Sequence, residues 1–183
     1  MQNQQLDPIR PIIIEIEKLK QNQQFKEAVE KTKSAIVKYK DDYRLYEELA
    51  DTYLYLWKVD EAEAAIDYAL KQNSKSATGH YLKGFLCLNR DAYKEALKHL
   101  EFSNSMMWNN PEVLRNLGWA YTMNNEPQRW ISILKRALNL APWDKLITED
   151  LAMAYIWIWE VELGNKLLRE VWSDKVYSKK ILK

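Results

Sequence analysis

The fold is decided by residues 111–144, PEVLRNLGWAYTMNNEPQRWISILKRALNLAPWD. In this stretch the small residue Gly118 is followed one helical turn later by the bulky Tyr121, on the same side of a helix. Pro111 and Pro127 fit the first turns of two successive helices, where the missing N–H of proline does no harm. The stretch therefore predicts a pair of helices joined by a short turn.

The same pattern returns along the chain with a period of 34 residues. One position of the period is occupied by Ala28, Ala62, Ala96, Trp130 and Gly164. Twelve residues before each of these lie Ile16, Ala50, Gly84, Gly118 and Ala152. Small residues at such positions let two helix axes approach closely. A fixed period of this length is typical of an array built from one repeated unit.

Residues 111–144 resemble the tetratricopeptide repeat, a helix-turn-helix unit. Leu117, Gly118, Tyr121, Leu134, Ala137 and Pro142 stand where that family has Leu, Gly, Tyr, Phe, Ala and Pro, and Leu114 replaces the first Trp. The resemblance implies an all-α, right-handed superhelical α-solenoid of antiparallel helix pairs, with residues 1–183 as a single domain. Its five repeats are expected at about 9–42, 43–76, 77–110, 111–144 and 145–178, followed by a basic tail at 179–183.

Trp130 departs from the family pattern, because alanine is usual at its position between the two helices of a repeat. Two arrangements are open. Either the helices of the fourth repeat are pushed apart, or the indole turns outward across the repeat boundary.

In the resembled family the first helix of each pair lines a concave groove, and protein segments bind there. By resemblance, the groove positions in this chain include Asp51, Tyr55, Tyr81, Phe85, Arg115, Trp119, Met123, Met153 and Trp157. We expect a groove that is aromatic at its centre and acidic towards its ends, where Glu47 and Glu149 lie. Exposed aromatic side chains rimmed by charge are typical of protein-binding surfaces.

These observations predict a non-catalytic protein-protein interaction module, either an adaptor or a dedicated chaperone. It would bind an apolar or aromatic peptide segment of a partner, with Arg115 pairing to an acidic group beside that segment. The alternative is a structural subunit that forms a homo-oligomer through its C-terminal end, since no polar capping helix is evident after the fifth repeat. The residues expected at that end are Trp159, Leu163, Leu167 and Trp172.

Composition argues against other classes of function. The chain has 27 Lys and Arg against 26 Asp and Glu, so its net charge of +1 gives no general reason to bind nucleic acid. Only four glycines are present, which disfavours phosphate-binding loops. His80, His99 and the single Cys87 lack the spacing of a metal site. We expect no metal, no cofactor and no enzymatic activity.

Several features of the sequence bear on the location of the protein. The longest apolar stretches, such as residues 151–159, are about half the ~20 residues that a membrane helix needs. The N-terminus lacks the features of a secretory signal, and a single cysteine cannot form an internal disulfide. Together these features predict a cytoplasmic protein without a membrane-inserted segment.

Overall fold

The computed structural model describes residues 7–172, and the predicted basic tail at 179–183 lies outside them. All regular secondary structure in the described residues is helical. The helices are α1 (Arg10–Gln21), α2 (Phe25–Lys38), α3 (Tyr43–Tyr55), α4 (Val59–Gln72), α5 (Ala77–Asn89), α6 (Tyr93–Met106), α7 (Pro111–Met123), α8 (Pro127–Leu140), α9 (Lys145–Trp157) and α10 (Val161–Trp172). The all-α prediction is confirmed.

The helix starts follow from local side-chain chemistry. Asn110 Oδ1 accepts hydrogen bonds from the backbone N–H groups of Glu112 and Val113, and Pro111 is the first residue of α7. Asp144 Oδ1 accepts the equivalent bonds at the start of α9. Such caps satisfy N–H groups that have no partner within the helix. The predicted helix start at Pro111 is therefore confirmed, as is the one at Pro127.

The turn between the two helices of each pair uses one residue in the left-handed conformation. These residues have φ between 57° and 69° and recur every 34 positions. They are Gln23, Trp57, Asp91, Asn125 and Trp159. Asp and Asn tolerate this conformation better than bulky residues do. The two tryptophans are therefore in a backbone conformation that their side chains disfavour.

The chain divides into two compact units, Met1–Leu86 and Cys87–Lys183, so the boundary falls near the end of α5. In the first unit Ala28 is completely buried among Ile9, Ile16 and Leu45. Ala62 is likewise buried in a second cluster, which contains Ala50, Ile66 and Leu86. The alanines of the repeat thus lie where helices pack closely.

In the second unit Trp130 is fully buried, with 1% of its surface exposed. A Cβ atom on Gly118 would lie 2.8 Å from Cδ1 of Trp130 and 3.3 Å from Cγ of Leu134. The absent side chain of Gly118 therefore provides the room that the indole needs. The indole of Trp130 is therefore enclosed by the protein and does not reach solvent.

Candidate functional site

The first helices of the fourth and fifth predicted repeats, α7 and α9, pack against each other in the second unit. Each carries a stripe of residues at steps of three and four, so each stripe lies along one side of its helix. The stripes are Glu112, Arg115, Trp119 and Met123 on α7, and Leu146, Glu149, Met153 and Trp157 on α9. We call these two stripes the α7–α9 face.

The two helices are held together by an ion pair. Nε of Arg115 donates a hydrogen bond to Oδ2 of Asp150 at 2.5 Å. Burial raises the pKa of the Asp150 carboxyl, while the Arg115 guanidinium opposes that rise. We expected Arg115 to pair with an acidic group of a bound segment, and in the structure it is occupied by Asp150 of its own chain. Asp150 was not among the predicted site residues, and the repeat pattern carries no signal for this pair.

The C-terminal half of the α7–α9 face is apolar and open. Met153 is 51% exposed and Trp157 58% exposed. Trp119 is also exposed, and its ring meets buried Trp130 edge-on at 6.4 Å between ring centroids. The hydrophobic core thus supports Trp119 from beneath while one side of the indole stays accessible. Such an arrangement is a rigid aromatic anchor of the kind that protein-binding surfaces use.

The predicted groove residues of the first unit have a different character. Asp51 and Glu48 both accept hydrogen bonds from Nζ of Lys20 at 2.6 Å. Burial alone lowers the pKa of Lys20, but the two carboxylates together raise it above its ordinary value. Asp51 is therefore neutralised within the chain, by a lysine that the sequence analysis did not single out.

The aromatic groove candidates of the first unit differ in their exposure. Tyr55 stacks on Phe25 with 5.1 Å between ring centroids. Tyr81 is half-buried and packs against the cluster that contains Ala62, and Phe85 is half-buried as well. Tyr81 and Phe85 are therefore less available than Met153 and Trp157 of the second unit, whereas Tyr55, which is 57% exposed, is as accessible as Trp157.

Glu47 is the clearest departure from the expected acidic groove ends, because it is buried. Its Oε1 accepts a hydrogen bond from the Ser76 hydroxyl, just before α5. Burial raises the pKa of Glu47, against the opposing effect of the bonds from Ser76 and Gly79. The carboxylate therefore joins α3 to the start of α5 and does not extend into solvent.

The residues predicted for self-association lie on and just before α10. Trp159 and Trp172 are highly exposed and Leu163 is exposed, whereas Leu167 is half-buried. Gly164 and Val171 are the buried residues of this helix. A Cβ atom on Gly164 would lie 2.6 Å from the backbone oxygen of Ala152, so α10 packs closely on α9.

The described residues 7–172 contain no group of three or more His, Cys, Asp or Glu side chains that could hold a metal ion. Within the same residues, no helix is both long enough and apolar enough to cross a membrane. Cys87 is buried, as small cysteine side chains commonly are.

Comparison of the structure with solved proteins identifies a tetratricopeptide-repeat-like fold, an α-solenoid class of helix-pair repeats. MamA from Desulfovibrio magneticus RS-1 aligns with a TM-score of 0.72 and 19% identity, covering 90% of this chain and 93% of that one. PilF from Pseudomonas aeruginosa aligns with a TM-score of 0.75 and 14% identity, covering 93% and 75%.

A third similar structure is YrrB, described as a TPR protein with an unusual peptide-binding site. It aligns with a TM-score of 0.68 and 15% identity, covering 93% of this chain and 90% of that one. No protein-family profile matches the sequence. No curated protein sequence matches it either. At these identities the comparisons establish the fold.

Proposed function

We propose that the chain is a non-catalytic protein-protein interaction module that binds an apolar or aromatic peptide segment of a partner on the α7–α9 face. The observation that carries the proposal is the row of Trp119, Met153 and Trp157, which are exposed on two helices joined by the Arg115–Asp150 pair. The partner would be another protein, as for an adaptor or a dedicated chaperone.

Three features support this site over the rest of the predicted groove. Its helices pack within one compact unit, and its aromatic anchor rests on the buried Trp130. Its Trp119, Met153 and Trp157 are more exposed than Tyr81 and Phe85, which stay proposed contributors, as does the exposed Tyr55. YrrB, which has a similar fold, is described as having a peptide-binding site. Fold likeness alone does not determine function, so the side chains carry the argument.

The proposal also covers what the chain does not do. Because the net charge of the chain is only +1, the chain as a whole would not attract nucleic acid electrostatically. A cytoplasmic location is proposed because a single cysteine cannot form an internal disulfide, which suits a reducing compartment.

The test is selection of peptides from a random 12-residue library displayed on phage. We expect the wild type to enrich apolar and aromatic peptides, and Met153→Ala/Trp157→Ala to bind them at least tenfold more weakly, since each lost anchor contributes about 1–2 kcal/mol. Both side chains are exposed by more than half, so the double variant should fold normally, and circular dichroism checks this.

Trp57→Ala is the matched control, because it removes another exposed indole in the first unit. Peptides that bind the wild type and the control equally, but not the double variant, support the α7–α9 face. Enriched peptides that bind all three proteins equally would contradict the proposal, and so would a selection that enriches no peptide.

The second candidate function is self-assembly as a structural subunit. It is favoured by Trp159 and Trp172, two highly exposed indoles beside the exposed Leu163. A homo-oligomer formed there should show a mass that rises with concentration and falls to that of the monomer in Trp172→Glu. A concentration-independent monomer with an active α7–α9 face would leave only the first candidate.

A further inference from the structure

The two stripes of the α7–α9 face carry charged groups in their first halves, which we call the polar end, and large apolar side chains at their other ends. The charged groups are Glu112 and Arg115 on α7 and Glu149 on α9, where the exposed, apolar Leu146 precedes Glu149. Both stripes end in large apolar side chains, with Met123 on α7 and Trp157 on α9. A ligand lying along α9 would therefore meet Leu146 and Glu149 first and Trp157 last.

The charge left at the polar end is negative. Arg115 is already paired with Asp150, so the two charges offset each other. Glu149 forms no ion pair within the described residues 7–172. Its carboxylate contributes to the raised pKa of the neighbouring Asp150 by repulsion. A cationic group of a ligand would be attracted to this half-buried carboxylate.

The spacing along α9 matches that of an extended peptide. Residues four apart on a helix are separated by about 6 Å along its axis, since the rise is about 1.5 Å per residue. Alternate side chains of an extended chain are separated by about 6.6 Å and point the same way. Glu149, Met153 and Trp157 follow each other at steps of four. Three alternate side chains of one extended segment can thus meet all three.

We infer that the segment bound by the α7–α9 face is extended and basic at one end, with Lys or Arg over Glu149 and large apolar side chains two and four positions away over Met153 and Trp157. This inference rests on the proposed function and adds to it the charge and spacing of the ligand. An acidic residue at the same place would be repelled by Glu149.

The experiment begins with the same random 12-residue phage library. Peptides enriched on the wild type are sequenced, and three of them are synthesised with the basic residue kept or changed to Gln or Glu. We expect the enriched peptides to contain a Lys or Arg, with large apolar residues two and four positions away from it. Changing it to Gln should weaken binding about fivefold, as for a partly exposed ion pair, and Glu should weaken it further.

Glu149→Gln provides the second arm, and Glu162→Gln, an exposed carboxylate on α10, is its matched control. The preference for Lys over Gln should disappear in Glu149→Gln and persist in Glu162→Gln. Peptides that depend on Met153 and Trp157 but show no basic preference, or a preference that Glu149→Gln leaves intact, would overturn this inference and leave the proposed function standing. If the enriched peptides bind Met153→Ala/Trp157→Ala as well as they bind the wild type, or if no peptide is enriched, both this inference and the proposed function would be overturned.

Discussion

Arg115 Nε and Asp150 Oδ2 lie 2.5 Å apart and tie α7 to α9. Their positions differ by 35 residues, one more than the period of the array. The bond therefore joins non-equivalent positions of two repeats, and it keeps Trp119 and Met153 on helices that are held side by side.

This pair should stabilise the second unit measurably. We expect a double-mutant cycle of Arg115→Ala and Asp150→Ala to give a coupling of about 1 kcal/mol in the free energy of unfolding, because both side chains are only partly exposed. Urea unfolding measures it. The exposed pair Lys58 and Glu61, at 3.8 Å, is the control and should give less than about 0.5 kcal/mol. Equal coupling energies for the two pairs would contradict a stabilising role of the Arg115–Asp150 pair in the second unit.

The effects of substitutions at Gly118 and Trp130 on the free energy of unfolding should depend on each other. Gly118→Ala places a methyl group against the indole, so we expect it to destabilise the fold by about 1–3 kcal/mol. In a Trp130→Ala background the same change should cost little, because the space is vacated. Thermal or urea unfolding of the four proteins checks this. An unchanged penalty for Gly118→Ala without the indole would show that the clash lies elsewhere.

Gly164→Ala should be more damaging than Gly118→Ala. The new Cβ atom would lie 2.6 Å from the backbone oxygen of Ala152, and a backbone atom cannot move aside as a side chain can. We expect a loss of more than about 3 kcal/mol, with reduced helicity at 37 °C by circular dichroism. A loss smaller than that of Gly118→Ala would contradict the close packing of α10 on α9.

The left-handed tryptophans should be replaceable with a gain in stability. Trp57 is 82% exposed and Trp159 is 89% exposed, so little burial compensates their positive φ. Trp57→Asn and Trp159→Asn should each raise the free energy of unfolding by about 0.5–1 kcal/mol, since Asn tolerates this conformation. The reverse change at an equivalent turn, Asn125→Trp, should lower it. Unchanged values would mean that the indoles make compensating contacts.

Stability should depend on pH through Glu47. Burial raises its pKa above the ordinary value of 4.5, so the folded chain holds this proton more tightly than the unfolded chain. Its contribution to stability is fully present below pH 4.5 and is lost as the pH rises through the raised value. Glu47→Gln should therefore raise Tm at pH 7 and flatten its dependence between pH 7 and 4.5.

The control for the pH experiment is Glu61→Gln, at an exposed position. It should leave both the Tm at pH 7 and the pH dependence of Tm unchanged. Gln at position 47 keeps an oxygen that can accept the Ser76 hydrogen bond, so the comparison isolates the charge. A lower Tm at pH 7 with an unaltered pH profile would show that the bonds to the carboxylate outweigh its burial.

By itself the sequence determined the helices and their order. Helix starts depend on local groups such as Asn110 and Pro127. The period of 34 residues reflects packing contacts between neighbouring helices that recur from repeat to repeat. Local capping and repeated packing are visible in a sequence because they recur at constant spacing. The resemblance to the tetratricopeptide repeat placed Trp119, Met153 and Trp157 in one apolar stripe, and the role of this stripe in binding stays a prediction.

Only the tertiary structure decided which side chains find partners. Asp51 is bound by Lys20, Arg115 by Asp150, and Glu47 is buried beside Ser76. These pairs join helices through individual side chains and do not recur at the repeat spacing. No pattern in the sequence therefore predicts them. The physical reason is that helix formation depends on nearby residues, whereas the charge left on a surface depends on which ions tertiary packing brings together.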